Sequence, residues 1–358
     1  MKKLLQITLV ALVAAMTLTS CAKEPAGLKD AYKKYFMIGV AVNPRNVSVP
    51  EQMELVKANF NSMTCENVMK PGEIHPAEGV WKFEEADKVA DFCRENGIKL
   101  RGHCLVWHSQ FANWMFYDSE QNPVSKEVFY ERLKEHITTV VNRYKDVIYA
   151  WDVVNEAMSD DPDAEDPYRP SRLYQLCGDE FIAKAFQFAH EADPNAILFY
   201  NDYNECDPAK SDKIYNMVKK MQDAGVPITG IGMQGHYNAY EPSEDQINAA
   251  IEKYSKIVSH IHVTELDVRV NREMGGRLRF STEGEEISPE VEQRFNDQYA
   301  MIFRAFRNHK DVIDCVTFWN LADADSWLGA RNYPLLFDKD FQPKAAYSIV
   351  KDFKKNKE

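Results

Sequence analysis

The stretch Ala150-Trp151-Asp152-Val153-Val154-Asn155-Glu156 reads as a short β-strand that ends in an amide and a carboxylate. It is apolar and β-branched at its centre and too short for a helix. Before it, Phe129, Leu133, Ile137, Val140, Val141 and Tyr144 recur at steps of three and four, the mark of one helix face. Further short apolar runs centre near Ile38, Asn61, Leu100, Leu198, Gly232, His262 and Thr317, which makes eight strands in all. Helical patterns lie between them. Pro50 follows Ser48-Val49 at a helix start, and Glu84 to Asn96 stops at Gly97, a residue suited to a left-handed cap. Lys210 to Ala224 stops at Gly225, Ser288-Pro289 opens a helix reaching about His309, and Lys344 to Lys354 closes the chain.

Strands alternating with helices imply a parallel sheet with right-handed crossovers. Eight such units predict a closed (β/α)8 TIM barrel of the α/β class, in one domain over residues 29–356. An open doubly wound sheet is the alternative, but Phe36 to Asn43 carries no glycine-rich nucleotide fingerprint. The 358 residues include 45% hydrophobic and 27% charged, a globular balance that excludes disorder, collagen and coiled coil. Net charge is −12. Residues 1–20 hold two lysines and no acid, so without them 41 basic face 55 acidic residues, or −14. Such a chain has no nucleic acid as its main partner, since phosphate binding rests on clustered cations.

The N-terminus reads as an export signal. Lys2 and Lys3 precede an apolar run from Leu4 to Leu18 that is shorter than the roughly 20 residues of a membrane span. Leu18-Thr19-Ser20-Cys21 resembles a bacterial lipobox, which implies a signal peptide over 1–20, lipidation of Cys21 and a short tether over 21–28. The expectation is a monomer held at the bacterial envelope by lipid. An ordinary secretory signal is the alternative. Six further cysteines, at 65, 93, 104, 177, 206 and 315, show no CxxC and no metal-ligand spacing. They read as small buried apolar residues, with one disulfide left open.

In a barrel of this kind, chemistry sits at the C-terminal strand ends. Here those ends carry Glu66-Asn67, His103 to His108, Asn155-Glu156, Asn201 to Asn204, Gln234 to Tyr237, Glu265 to Asp267, and Trp319-Asn320 with Trp327 beyond. Glu156 and Glu265 each follow an apolar strand by one step. Opposed carboxylates in a cleft with several indoles point to glycoside cleavage, one protonating the leaving oxygen and the other attacking or activating water. A lone glutamate after a strand is more often an ion-pair partner or a helix cap, but Asn155 beside Glu156 offers an acid and a hydroxyl-binding amide together. His103, His108, His260 and His262, each taken alone, read as hydrogen-bonded structural histidines. There is no HExxH for zinc. Trp151 reads as barrel-lining, Trp81 and Trp114 as packing or loop residues, and Asp160-Asp161-Pro162-Asp163 as solvated loop.

Taken together, Gly102–Gln110, Trp151–Ala157, Tyr200–Asn204, Gly230–Tyr237, Val263–Asp267 and Thr317–Leu328, with Glu66, Asn67 and Lys70, resemble the family-10 glycoside hydrolases. These are endo-β-1,4-xylanases, and the ordered set spans nearly all of residues 30–356. The resemblance implies a retaining mechanism on xylan and xylo-oligosaccharides, with no cofactor and no metal. It implies that Glu156 is the acid/base and Glu265 the nucleophile. His236 and Asp267 would orient the nucleophile and keep it ionised, and Asn155 would bind the 2-hydroxyl of the sugar at the cleavage point. His103, Lys70, Trp107 and Gln234 would line the glycone side, with Glu66 and Asn67 one sugar further out. Trp319 and Trp327 would stack on or enclose the glycone, and Asn201 and Tyr203 would lie towards the aglycone. Cys104 stands where the family often has Thr, and Asn320-Leu321-Ala322 where Gly and a small or polar pair are common. Two other readings are a β-1,4-glucanase of the same barrel clan and a non-catalytic xylan-binding lipoprotein. The intact set Asn155, Glu156, His236, Glu265 and Asp267 speaks against the second. The negative charge on Glu265 is expected to help keep Glu156 protonated.

Overall fold

The computed structural model describes residues 27–271 and 287–355. The signal peptide, Cys21 and most of the tether lie outside the described residues. Among the described residues nine parallel strands form: β1 (Met37–Val42), β2 (Ser62–Cys65), β3 (Lys99–Trp107), β4 (Ile148–Asn155), β5 (Ile197–Asp202), β6 (Gly230–Met233), β7 (His236–Asn238), β8 (His260–Arg269) and β9 (Ile313–Phe318). Eight of them close the predicted (β/α)8 barrel. Neighbours pair in order from β1 to β6, β9 pairs β1 and β8, and β6 pairs β8. All eight expected strand centres fall on these strands or within one residue of them.

The extra strand, β7, has a specific job. β8 is ten residues long, and β6 covers only its first part, from Gly230 opposite His260 to Met233 opposite Val263. β7 takes over the same edge further along, with His236 opposite Asp267. Glu265 therefore lies within β8 rather than one step past a strand, a correction to the sequence reading. It also lies where the pairing of β8 with β9 shifts register, between Val263 and Leu266. Comparable shifts occur in β3 against β4 between His103 and Val106, and in β4 against β5 between Asp152 and Val154. Irregular pairing of this kind turns side chains that a regular strand would aim elsewhere.

Helices fill the outer ring. Glu84–Asn96 ends at Gly97, whose φ of 64° is the left-handed cap expected there. The helix expected from Lys210 starts at Pro208, because Asp207 accepts from the Lys210 amide at 2.9 Å and proline sits in the first turn. The last helix is shorter than expected, Ala345–Lys351. Trp151 is fully buried in the barrel, and its ring lies where a Cβ on Gly102 would stand, 2.1 Å away. Trp81 stacks on His75 with ring centres 3.5 Å apart, and Trp114 donates to the His75 carbonyl, so both are packing residues. The six cysteines from Cys65 to Cys315 are buried and unpaired, so the disulfide left open does not form among them. No helix among the described residues is long and apolar enough to cross a membrane.

Candidate active site

A pocket of about 920 Å³ opens at the C-terminal ends of the strands. Thirteen of the fifteen pocket residues expected from sequence line it: Glu66, Asn67, Lys70, His103, Trp107, Asn155, Glu156, Tyr203, Gln234, His236, Glu265, Trp319 and Trp327. The other two, Asp267 and Asn201, are fully buried behind it. For Asn201 this is a correction. It faces neither end of the pocket and bonds the Glu265 carboxylate and the Asn155 amide from behind.

Those carboxylates are joined by a short chain of amides. Asn201 Nδ2 donates to Oε1 of Glu265 at 2.8 Å and to Oδ1 of Asn155 at 2.9 Å. Gln234 Nε2 donates to the same Asn155 oxygen at 3.2 Å and to Oε1 of Glu156 at 3.0 Å. The indole of Trp107 donates to the other oxygen of Glu156 at 2.8 Å. Glu156 also holds a left-handed backbone, φ 57°, just past β4, with its amide on the Asn201 carbonyl at 2.9 Å. A non-glycine residue in that region is strained and persists only where its surroundings over-determine it.

The two acids are driven in opposite directions. Burial is the main cause that raises Glu156 above the ordinary value of 4.5. It remains partly accessible from the pocket, yet protein surrounds it deeply. The negative charge of Asp202 adds to burial, and that of Glu265 adds further, in the direction the sequence reading expected. Glu265 is still more buried, and burial alone would push it up too. Its hydrogen bond from His236 and the positive potential of His103, His236 and Lys70 overcome that and hold it well below the usual carboxylate range.

His236 is the hinge of this contrast. Its Nδ1 lies 2.9 Å from Oδ2 of Asp267 and its Nε2 3.2 Å from Oε2 of Glu265. Burial disfavours its charge, but the two carboxylates outweigh burial and raise its pKa. Asp267 in turn accepts from the Trp327 indole at 2.8 Å. The pairing of β7 with β8 brings this triad together.

On the opposite wall, Lys70 donates to Asn67 Oδ1 at 2.8 Å and lies 4.8 Å from the centre of the Trp107 ring. His103 meets the edge of Trp319, ring centres 5.2 Å apart. Glu66 is raised mainly by burial. Of the other histidines, His260 pairs with Asp314 at 2.7 Å and His262 accepts from Arg101 at 3.3 Å, away from the pocket.

Two acids were missed in sequence. Asp152 is fully buried and sits 2.9 Å from Nδ1 of His103, so it sets the orientation of that ring. Its place inside an otherwise apolar strand was the available signal. Asp160 belongs to the run expected to be a solvated loop, and it is exposed there, yet it also bonds Arg169, Tyr203 and Lys210. No local pattern reveals that.

Comparison with known proteins identifies the family. The family model for glycosyl hydrolase family 10 matches residues 27–353. The endo-1,4-beta-xylanase/feruloyl esterase of Xylanibacter ruminicola is 58% identical over 99% of this chain, which spans 51% of that protein. The endo-1,4-beta-xylanase B of Paenibacillus barcinonensis is 45% identical over 90% of this chain and 97% of its own length. Among solved structures, a psychrophilic family-10 endo-beta-1,4-xylanase superimposes with a TM-score of 0.87 at 58% identity, covering 91% of this chain and 98% of that one.

Proposed function

The chain belongs to glycosyl hydrolase family 10, and on that premise we propose that it is a retaining endo-β-1,4-xylanase. The observation that carries the reading is the opposed ionisation of Glu156 and Glu265 within one amide-linked site. Two carboxyls whose surroundings push them apart are suited to acid and nucleophile.

In the first step, an ionised Glu265 oxygen attacks the anomeric carbon. The bond to the leaving oxygen breaks, and Glu156 supplies that oxygen with a proton. The product is a glycosyl ester on Glu265 and an ionised Glu156. In the second step, Glu156 takes a proton from water, the water oxygen attacks the same carbon, and Glu265 departs as a carboxylate. Forming the ester removes the negative charge of Glu265, which lowers the pKa of Glu156 and suits it to act as base. Asn155 is placed to meet the sugar 2-hydroxyl, and His236 with Asp267 keeps the nucleophile charged. Lys70, Glu66, Asn67, Trp319 and Trp327 form the glycone side, and Tyr203 the leaving-group side. Xylan is the substrate class borne by the names of the relatives. The test is reducing-sugar release from xylan, arabinoxylan and soluble cellulose, with nuclear magnetic resonance of the first anomer released. Equal rates on cellulose, or an inverted first product, would overturn the reading.

We also propose that Cys21 is lipidated and holds the enzyme at the bacterial envelope. The basic start, short apolar core and lipobox support this. One acyl chain binds membranes only marginally, and several give stable anchoring. Cys21→Ser should release the protein into the soluble fraction or block its processing, and identical fractionation of both forms as soluble protein would refute the anchor.

A further inference from the structure

The segment after β4 leaves the barrel at Glu156 and folds back on itself, with Met158 bridging to Tyr168. Asp160 lies just before its turn. One oxygen of Asp160 accepts from Lys210 Nζ at 2.7 Å. The other accepts from Arg169 Nη2 at 2.8 Å and from the Tyr203 hydroxyl. Arg169 Nη2 also reaches the Tyr203 hydroxyl at 2.8 Å, and its Nε donates to the Glu156 carbonyl at 2.9 Å. Lys210 holds the Met158 carbonyl at 3.1 Å and lies 4.7 Å from the centre of the Tyr203 ring.

Asp160 is thus the shared acceptor of two cations and a phenol. One cation holds the backbone of Glu156, and the phenol belongs to an aromatic wall of the pocket. Burial would raise the carboxyl, but its bonds to Lys210 and Tyr203 and the cationic charge hold it low. It is therefore ionised at neutral pH, and its hydrogen bonds are of the stronger, charge-assisted kind. Lys210 is only 4% exposed and Arg169 20%, so the cations are held in place by protein, while the carboxyl of Asp160 is itself 34% exposed.

We infer that Asp160 is a positioning residue that locks the Tyr203 wall at a set place relative to Glu156, and thereby governs how well sugars on the leaving-group side are used. The inference rests on the placement of Tyr203 proposed above. Asp160 touches neither substrate nor reacting atoms, so its effect passes through Tyr203. Displacing such a wall costs rate only for substrates that lean on it.

The experiment compares Asp160→Asn with wild type on two substrates. Xylohexaose fills the leaving-group side with sugars, and an aryl xylobioside does not. We expect kcat/KM on xylohexaose to fall about tenfold, mainly through KM, and that on the aryl xylobioside to stay within about twofold. Tyr203→Phe, which keeps the ring but loses the hydroxyl, should show part of the same selective loss. The double variant should be no worse than Asp160→Asn alone, because both remove one linkage. Equal losses on the two substrates would mean a merely structural role and would overturn the inference, as would no loss on either or additive effects. A wild-type enzyme inactive on both substrates would overturn the function reading as well.

Discussion

Nε2 of His236 lies 3.2 Å from Oε2 of Glu265, and this contact comes first among the causes that hold the glutamate ionised against its own burial. Replacing His236 with Asn removes both the contact and the charge. The pKa of Glu265 then rises, because burial is no longer opposed, and the nucleophile needs a higher pH to ionise. The acid limb of kcat/KM against pH should move upwards. A hydrogen bond to a charged group contributes about 1.5–3 kcal/mol, so kcat/KM at neutral pH should drop roughly tenfold to a hundredfold. An acid limb that stays in place would disprove the role given to His236.

The alkaline limb should belong to Glu156. Its pKa is raised above 4.5 by burial, and the first step needs its proton. Activity on xylo-oligosaccharides should therefore decline as pH rises through that raised value. In Glu156→Gln, on an aryl xylobioside whose leaving group needs no proton, formation of the glycosyl-enzyme should lose this limb. Pre-steady-state release of the aryl group across pH measures it, and a limb retained in the variant would assign it to another group.

The two acids should also separate chemically. Glu265→Ala should abolish turnover of every glycoside, since no ester can form. Glu156→Ala should cripple xylan hydrolysis by roughly two to four orders of magnitude, the usual range for general acid–base catalysis, while sparing the first step on the activated substrate. Azide should then accelerate Glu156→Ala by replacing water. Identical behaviour of the two variants would reverse or void the assignment.

Trp327 donates to Asp267 at 2.8 Å as well as lining the pocket. On the glycone placement proposed above, its indole would crowd the C6 hydroxymethyl group that glucose has and xylose lacks. Discrimination by one small group is about 1–3 kcal/mol, roughly ten- to two-hundredfold. In Trp327→Ala both activities should fall, because Asp267 loses a donor. The glucoside-to-xyloside ratio of kcat/KM, on matched aryl cellobioside and aryl xylobioside, should nevertheless rise about tenfold. An unchanged ratio would leave xylan preference to other residues.

The legible part of this protein was the part written in local pattern. Strand periodicity, the Gly97 cap and polar residues at strand ends all act within a few positions of one another, so they could be read along the chain. They placed eight strands, and the order of motifs around Glu156 and Glu265 pointed to glycoside chemistry. What the tertiary structure decided was which side chains meet. Asn201 looked like a pocket residue and is buried against Glu265 and Asn155, because β4, β5 and β8 converge there. Asp160 is exposed, as the loop reading expected, yet it is also bound by Arg169 and by two residues some 40 to 50 positions further along the chain. The direction of each pKa likewise came from burial and from charges brought in by distant strands: Asp202 acts on Glu156, and His103 and Lys70 act on Glu265. Hydrogen bonds and local electric potential are properties of position in space, and sequence spacing carries them only where the contacting residues are neighbours along the chain.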